Sequence, residues 1–256
     1  MKAENFNLAA YLERIGFQGE ASPDFETLKR LMRCQLFSVP FENIDVQSGK
    51  VVSLVPERIY RKIVQDMRGG YCYEVNGLFS MALDALGIPH RLIAARPMTY
   101  AVRRPKTHMA IVAEVDGAMW LFDTGFGSYG IREPLNLAWT ELEIRQDYAT
   151  FRLDRSAKSD YLLQSFTDDG WKPLYEFDLH AQEWVDFEPA NFLNSTHPDS
   201  LFVKGLLVVL QNPKGKDMLI GNSFKTVYED RTEIRQVGPE EIPALLLEKF
   251  RLCYPP

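Results

Sequence analysis

A chain of 256 residues, 46% of them hydrophobic, can bury a full core as one large domain or as two to three smaller ones. Its formal net charge of -6, without any clustered basic stretch, argues against a nucleic-acid partner, because phosphate backbones select basic surfaces. Glu4, Glu13 and Arg14 interrupt the N-terminal apolar residues, so the start reads as neither a secretory signal nor a membrane span, and a cytoplasmic protein with no membrane partner is expected.

Taken in order, the first ninety residues read as helical. Leu8, Tyr11, Leu12 and Ile15 recur at three- and four-residue steps, and a second stripe of Leu28, Leu31, Met32 and Leu36 follows, with Ser22 as the expected N-cap, Pro23 at the first helical position and Pro40 as the stop. Ile59, Ile63, Val64 and Met67 share a face of a third helix that Gly69 and Gly70 close. From Tyr71 the pattern Leu78, Phe79, Ala82, Leu83 and Leu86 runs to Gly87, which places Cys72 at the opening of a helix. Beyond Gly87 the texture turns to short alternating runs, "HRLIAARPM", "THMAIVAEV", "AMWLFDT", "DYLLQSF" and "KPLYEFDL", which suggest an antiparallel β-barrel. The stretch 187–200 breaks that texture. Strand-like "LFVKGLLVVLQ", "DMLIGNSFKTVY" and "EIRQVG" resume it, and a helix from Pro239 to Leu252 comes last.

Asp116-Gly117 between two strand-like runs predicts a two-residue hairpin turn of the primed type. If Val115 pairs with Ala118, then Ile111 faces Phe122, and Met109, Ile111, Ala113, Val115, Ala118, Trp120 and Phe122 form one apolar face. His108 and Asp123 fall on the opposite face as diagonal neighbours roughly 7–8 Å apart, a gap their side chains can close with a hydrogen bond.

The three cysteines, Cys34, Cys72 and Cys253, are widely spaced and lack any C-x-x-C pattern, which leaves no expected zinc or other metal site and reduced thiols. Cys34 and Cys253 read as small buried hydrophobes. Cys72 differs, because a helix N-terminus and a neighbouring imidazolium both favour a thiolate. Asn76 shares its helical face, Glu74 points elsewhere as support, and Gly69 and Gly70 allow positive φ and a close backbone approach. Arg68 is expected to pair with Glu42 or Asn43, which "PFENIDV" places in an early loop. The glycines of "DTGFGSYG" could let a loop approach a phosphate through its N–H groups.

These motifs, "PFENIDV", "RGGYCYEVN", "KTHMAIVAEV" and "FDTGFG" in that order, resemble the arylamine N-acetyltransferase family along nearly the whole chain. The resemblance implies an α+β fold: an N-terminal helical bundle (1–87), a central antiparallel β-barrel (88–186) and a C-terminal α/β lid (187–256). It implies a catalytic Cys72, His108 and Asp123, acetyl-CoA as acyl donor, and a ping-pong transfer to the amino or N-hydroxy group of an arylamine or arylhydrazine. Asn76, Thr107, Gly125 and Phe126 are similar to residues placed near coenzyme A in bacterial members. Thr124 departs from the expected valine, and the chain ends at Pro256 where relatives commonly continue, so a shortened lid is expected. Phe192 and His197 lie in "NFLNSTHPDS", which is also similar to the family, and most of that segment is expected to be structural. The same triad could instead close a macrolactam, as in amide synthases, or hydrolyse or cross-link amides, and a non-enzymatic binding module is a third reading.

Overall fold

The computed structural model describes residues 2–253. The chain runs α1 (Leu8–Ile15), α2 (Phe25–Ser38), β1 (Phe41–Glu42), α3 (Ile44–Gln47), α4 (Pro56–Tyr60, continued as a π-helical turn over Arg61–Gln65) and α5 (Cys72–Ala85). Then come β2 (His90–Pro97), β3 (His108–Val115), β4 (Ala118–Phe122), β5 (Leu135–Asn136), β6 (Ile144–Gln146), β7 (Ala149–Arg155), β8 (Tyr161–Thr167) and β9 (Gly170–Gln182). The last part holds α6 (Glu188–Thr196), α7 (Leu201–Lys204), β10 (Leu207–Asn212), β11 (Gly215–Ile220), β12 (Ser223–Tyr228), β13 (Thr232–Gln236) and α8 (Ile242–Phe250).

Local sequence explains most of these limits. Asp24, rather than Ser22, caps α2, its carboxylate accepting from Thr27 N–H at 2.8 Å, because the cap belongs to the last extended residue before the turn. Gly16 and Gly87 take positive φ just past α1 and α5, as C-terminal glycines do. Gly69 and Gly70 do not close a helix with positive φ; Met67 carries the positive φ there, at 55°. The two glycines serve instead as contact points, since a Cβ on Gly69 would lie 2.1 Å from Pro40 O and one on Gly70 2.7 Å from the Glu74 side chain. "PFENIDV", read as a loop, supplies a strand: β1 pairs with β10, Phe41 opposite Val209. The first part of "LFVKGLLVVLQ" is the short helix α7, and the strand begins only at Leu207.

Two antiparallel sheets result. Eight strands follow the order β5-β4-β3-β2-β9-β8-β7-β6 in a curled, barrel-like sheet whose register shifts near Ile93–Ala95 and Leu163–Gln164 accentuate the bend. Five strands, β1-β10-β11-β12-β13, form the other sheet, with Leu245, Leu246 and Phe250 of α8 packed on Val208, Leu219 and Phe224. The β3–β4 hairpin has the expected register, Val115 opposite Ala118 and Ile111 opposite Phe122, with positive φ at both Asp116 and Gly117. Its second face is apolar as well: Ala110, Val112 and Leu121 are as buried as Met109, Ile111 and Phe122 on the first. No helix among the described residues is long and apolar enough to cross a membrane.

Candidate active site

Three elements meet at a cavity of about 260 Å³ whose lining includes Cys72, His108, Thr107, Gly125, Phe126 and Asn194. Cys72 is the first residue of α5, where backbone N–H groups have no helical partner. The turn is tightened by Glu74, whose carboxylate accepts from Tyr71 N–H at 3.0 Å. Glu74 also meets Lys62 Nζ at 2.7 Å, and Lys62 in turn meets Asp45 at 2.7 Å and Glu42 at 3.9 Å. Arg68 binds Glu42 at 2.7 Å, the carboxylate of the two expected partners. Asn43 goes elsewhere, donating to Phe202 O and Gly205 O and accepting from Leu207 N–H. This cluster holds three carboxylates against two cations. Burial, with Glu42 adding to it, pushes the Glu74 carboxyl up to about 7 despite Lys62.

His108 and Asp123 join as the hairpin register requires, Nε2 to Oδ2 at 2.7 Å. Asp123 also accepts from Asn76 Nδ2 at 3.0 Å and Gly125 N–H at 2.8 Å, both on Oδ1. Burial pushes its carboxyl upward, but His108, Asn76 and the Gly125 amide outweigh that and hold it below the usual range. An ionised Asp123 can only accept, so in neutral His108 the proton sits on Nε2 and the Nδ1 lone pair is left free as a base. The imidazole is held between aromatic rings, 5.0 Å from Phe126 and 5.1 Å from Tyr175, centroid to centroid.

The thiol itself departs from the expected stabilised thiolate. Cys72 is 3% exposed, its Sγ lying 3.9 Å from Thr107 O. Burial pushes the thiol up, Asp123 and Glu74 push the same way, and the Met109 and Tyr73 amides only partly oppose them. Left to itself the sulfur keeps its proton; it needs a base to lose it.

Of the residues expected beside coenzyme A, Thr107, Gly125 and Phe126 line the cavity. Asn76 is fully buried, its amide spent on Met109 O, Asp123 and the Thr124 N–H and hydroxyl. Thr124 earns its hydroxyl, which also accepts from Gln35 Nε2 at 3.0 Å and so ties α2 to the loop. Sequence reasoning missed Tyr73 and Asn194, which both donate to Thr107 O, at 2.9 and 3.0 Å. It also missed Tyr175, buried against His108 and Phe126. In α6 the structural work falls to Asn191, Asn194 and Ser195, whereas Phe192 is 60% exposed and His197 is exposed as well. Cys253 is exposed and Cys34 half-buried, so neither is the core residue expected.

Comparison with known proteins agrees across the chain. A family model described as N-acetyltransferase matches residues 24–254. The arylamine N-acetyltransferase / N-hydroxyarylamine O-acetyltransferase of Salmonella typhimurium is 31% identical over 240 residues, 93% of this chain and 85% of that protein. The crystal structure of the Nocardia farcinica arylamine N-acetyltransferase superposes with a TM-score of 0.91 at 34% identity, covering 98% of this chain and 91% of that one. The Mycobacterium marinum arylamine N-acetyltransferase in complex with CoA gives 0.89 at 30% identity, with 96% and 92% covered.

Proposed function

Because the chain belongs to the arylamine N-acetyltransferase family, we propose that it transfers an acetyl group from acetyl-CoA to an arylamine or arylhydrazine by way of a thioester on Cys72. The observation that carries this reading is the single cavity shared by Cys72 and His108, with His108 held through Nε2 by Asp123. In the first half-reaction His108 Nδ1 takes the Sγ proton as sulfur attacks the acetyl carbonyl. The C–S bond to coenzyme A breaks, and the proton passes to the departing thiolate. In the second, the amine attacks the Cys72 thioester, His108 receives the amine proton, and the thiol is restored.

Asp123 keeps the imidazole in the productive tautomer and stabilises the imidazolium that forms. The apolar lining, with Phe41, Phe126 and Phe202, suits an aromatic acceptor and limits water, the competing acceptor for the thioester. The CoA complex of the Mycobacterium marinum relative supports coenzyme A as the donor's carrier. Segments 1–87, 88–186 and 187–256 are proposed as the functional units that bring nucleophile, base and cover together.

Incubation with acetyl-CoA alone should add one acetyl mass to the peptide bearing Cys72, and subsequent arylamine should remove it as N-acetylarylamine. His108→Gln and Asp123→Asn should suppress the labelling. An intact enzyme that stays unlabelled would overturn the reading.

A further inference from the structure

Lys216 of β11 is 7% exposed, yet among the described residues it has no carboxylate within 4 Å. Its Nζ donates to Ser128 O and stands 4.7 Å from the centroid of the Tyr129 ring. Lys172 of β9 stands 4.6 Å from the same centroid and likewise has no carboxylate. A third cation, Arg132, lies close by, but its charge is answered by Asp147 at 2.8 Å. Burial, with Arg132 and Lys172 adding repulsion, pushes the Lys216 ammonium down to about 8.

A desolvated ammonium with no counter-charge is costly, so its setting is informative. Ser128 and Tyr129 belong to two cavities at once. One is the thiol cavity, which Lys172 also lines; the other, of about 120 Å³, holds Lys216, Arg132, Ser165 and Thr167. Tyr129 is therefore the partition between them, with an ammonium from each sheet against its ring. A ligand that reaches outward from Cys72 past Tyr129 meets two positive charges that have no carboxylate within 4 Å among the described residues.

We propose that Lys172 and Lys216 form an anion site at the rim of the thiol cavity that takes phosphate groups of the acyl donor. This rests on the acyltransferase reading above. Two uncompensated ammonium groups match a multiply charged phosphate ester better than the single carboxylate of an acidic arylamine, and lysine binds phosphate as a point charge. Phosphate would also supply the counter-charge that opposes the downward push of burial on the Lys216 ammonium.

The test is single-turnover acylation of Cys72 by acetyl-CoA, 3′-dephospho-acetyl-CoA and S-acetylpantetheine, which lacks phosphate. In Lys216→Met and Lys172→Met the ratio of acylation rate constants, acetyl-CoA over S-acetylpantetheine, should fall roughly tenfold to a hundredfold. A fall that persists with the 3′-dephospho donor assigns the site to the pyrophosphate, and one that vanishes assigns it to the 3′-phosphate; either supports the proposal. An unchanged ratio would overturn it, as would variants that alter only the KM of a carboxylated arylamine. Should Lys216→Met not fold, Lys172→Met, at a partly exposed position, carries the same comparison. Wild-type enzyme that no donor acylates would overturn the acyltransferase reading and this site together, whereas acylation by all donors at an unchanged ratio overturns the site alone.

Discussion

Replacing Gly125 by alanine probes how tightly the loop after Asp123 is set against the nucleophile helix. A Cβ there would lie 2.8 Å from Cys72 Cα, 2.8 Å from Asn76 Nδ2 and 2.9 Å from Val75 Cγ2. Ordinary contact begins near 3.4 Å, so the loop must retreat by about 0.6 Å. The two neighbours at 2.8 Å cannot give way: Cys72 presents backbone in the first turn of α5, and the Asn76 amide is fixed by Met109, Asp123 and Thr124. Overpacking of this kind costs about 1–3 kcal/mol, and a domain of this size loses roughly 2–4 °C in Tm for each kcal/mol. The same retreat draws the Gly125 amide away from Asp123 Oδ1, now 2.8 Å distant, and loosens the carboxylate that orients His108. Acylation should fall by about a hundredfold, the usual consequence of ångström-scale misplacement. Differential scanning calorimetry and single-turnover release of coenzyme A thiol measure the two effects. Wild-type values of both would refute the close packing inferred here, and a lowered Tm with unchanged acylation would refute the coupling of this amide to His108.

Asn76→Asp would set a second carboxylate about where the amide now donates to Asp123 at 3.0 Å, so acylation should collapse at neutral pH and recover partly as the pair takes up a shared proton in acid. The Glu74 carboxyl lies at about 7 in the fold against 4.5 in the unfolded chain, so the fold binds its proton more tightly. Its stabilising contribution is full below 4.5 and is lost as pH rises through 7; Glu74→Gln should flatten that slope in urea midpoints compared at about pH 5 and about pH 8. Asp123 runs the other way: held below its usual 3.8, it contributes stability above that value and loses it as pH falls further, so Asp123→Asn should blunt acid unfolding below about pH 4. Because burial raises the Cys72 thiol, iodoacetamide should alkylate it at neutral pH only with His108 present as base, and in His108→Gln the reaction should move to alkaline pH. Equal neutral-pH rates in the two proteins would contradict this.

The His108–Asp123 pair was legible because a two-residue turn at Asp116-Gly117 fixes every pairing above it, and Cys72 was legible as a helix start because the apolar stripe after it has a clear period. Tyr175 and Asn194 carried no such local signal: they reach the site from β9 and α6, and nothing in their neighbouring sequence says which sheet or helix they will meet. The thiolate expectation failed for a related reason. The charge of a helix end can be read from spacing, but desolvation depends on what packs over it, here Thr107, whose carbonyl is held in turn by Tyr73 and Asn194. The strand at Phe41–Glu42 reads as a loop because two residues show no periodicity; Val208 and Val209 on one side and Gly70 on the other make it a strand.

That strand bears on how the protein is made. Residues 41 and 42 leave the ribosome early and meet Gly70 on one side soon after, but their other side finds its partners only when residues 208 and 209 emerge, so that edge waits through most of translation. Glu42 is also the anchor of Arg68, which lies just ahead of the nucleophile helix. The nascent chain thus carries its reactive cysteine long before the last support beneath it is seated, and transferase competence should arrive as a late, nearly all-or-none event in synthesis rather than growing with length.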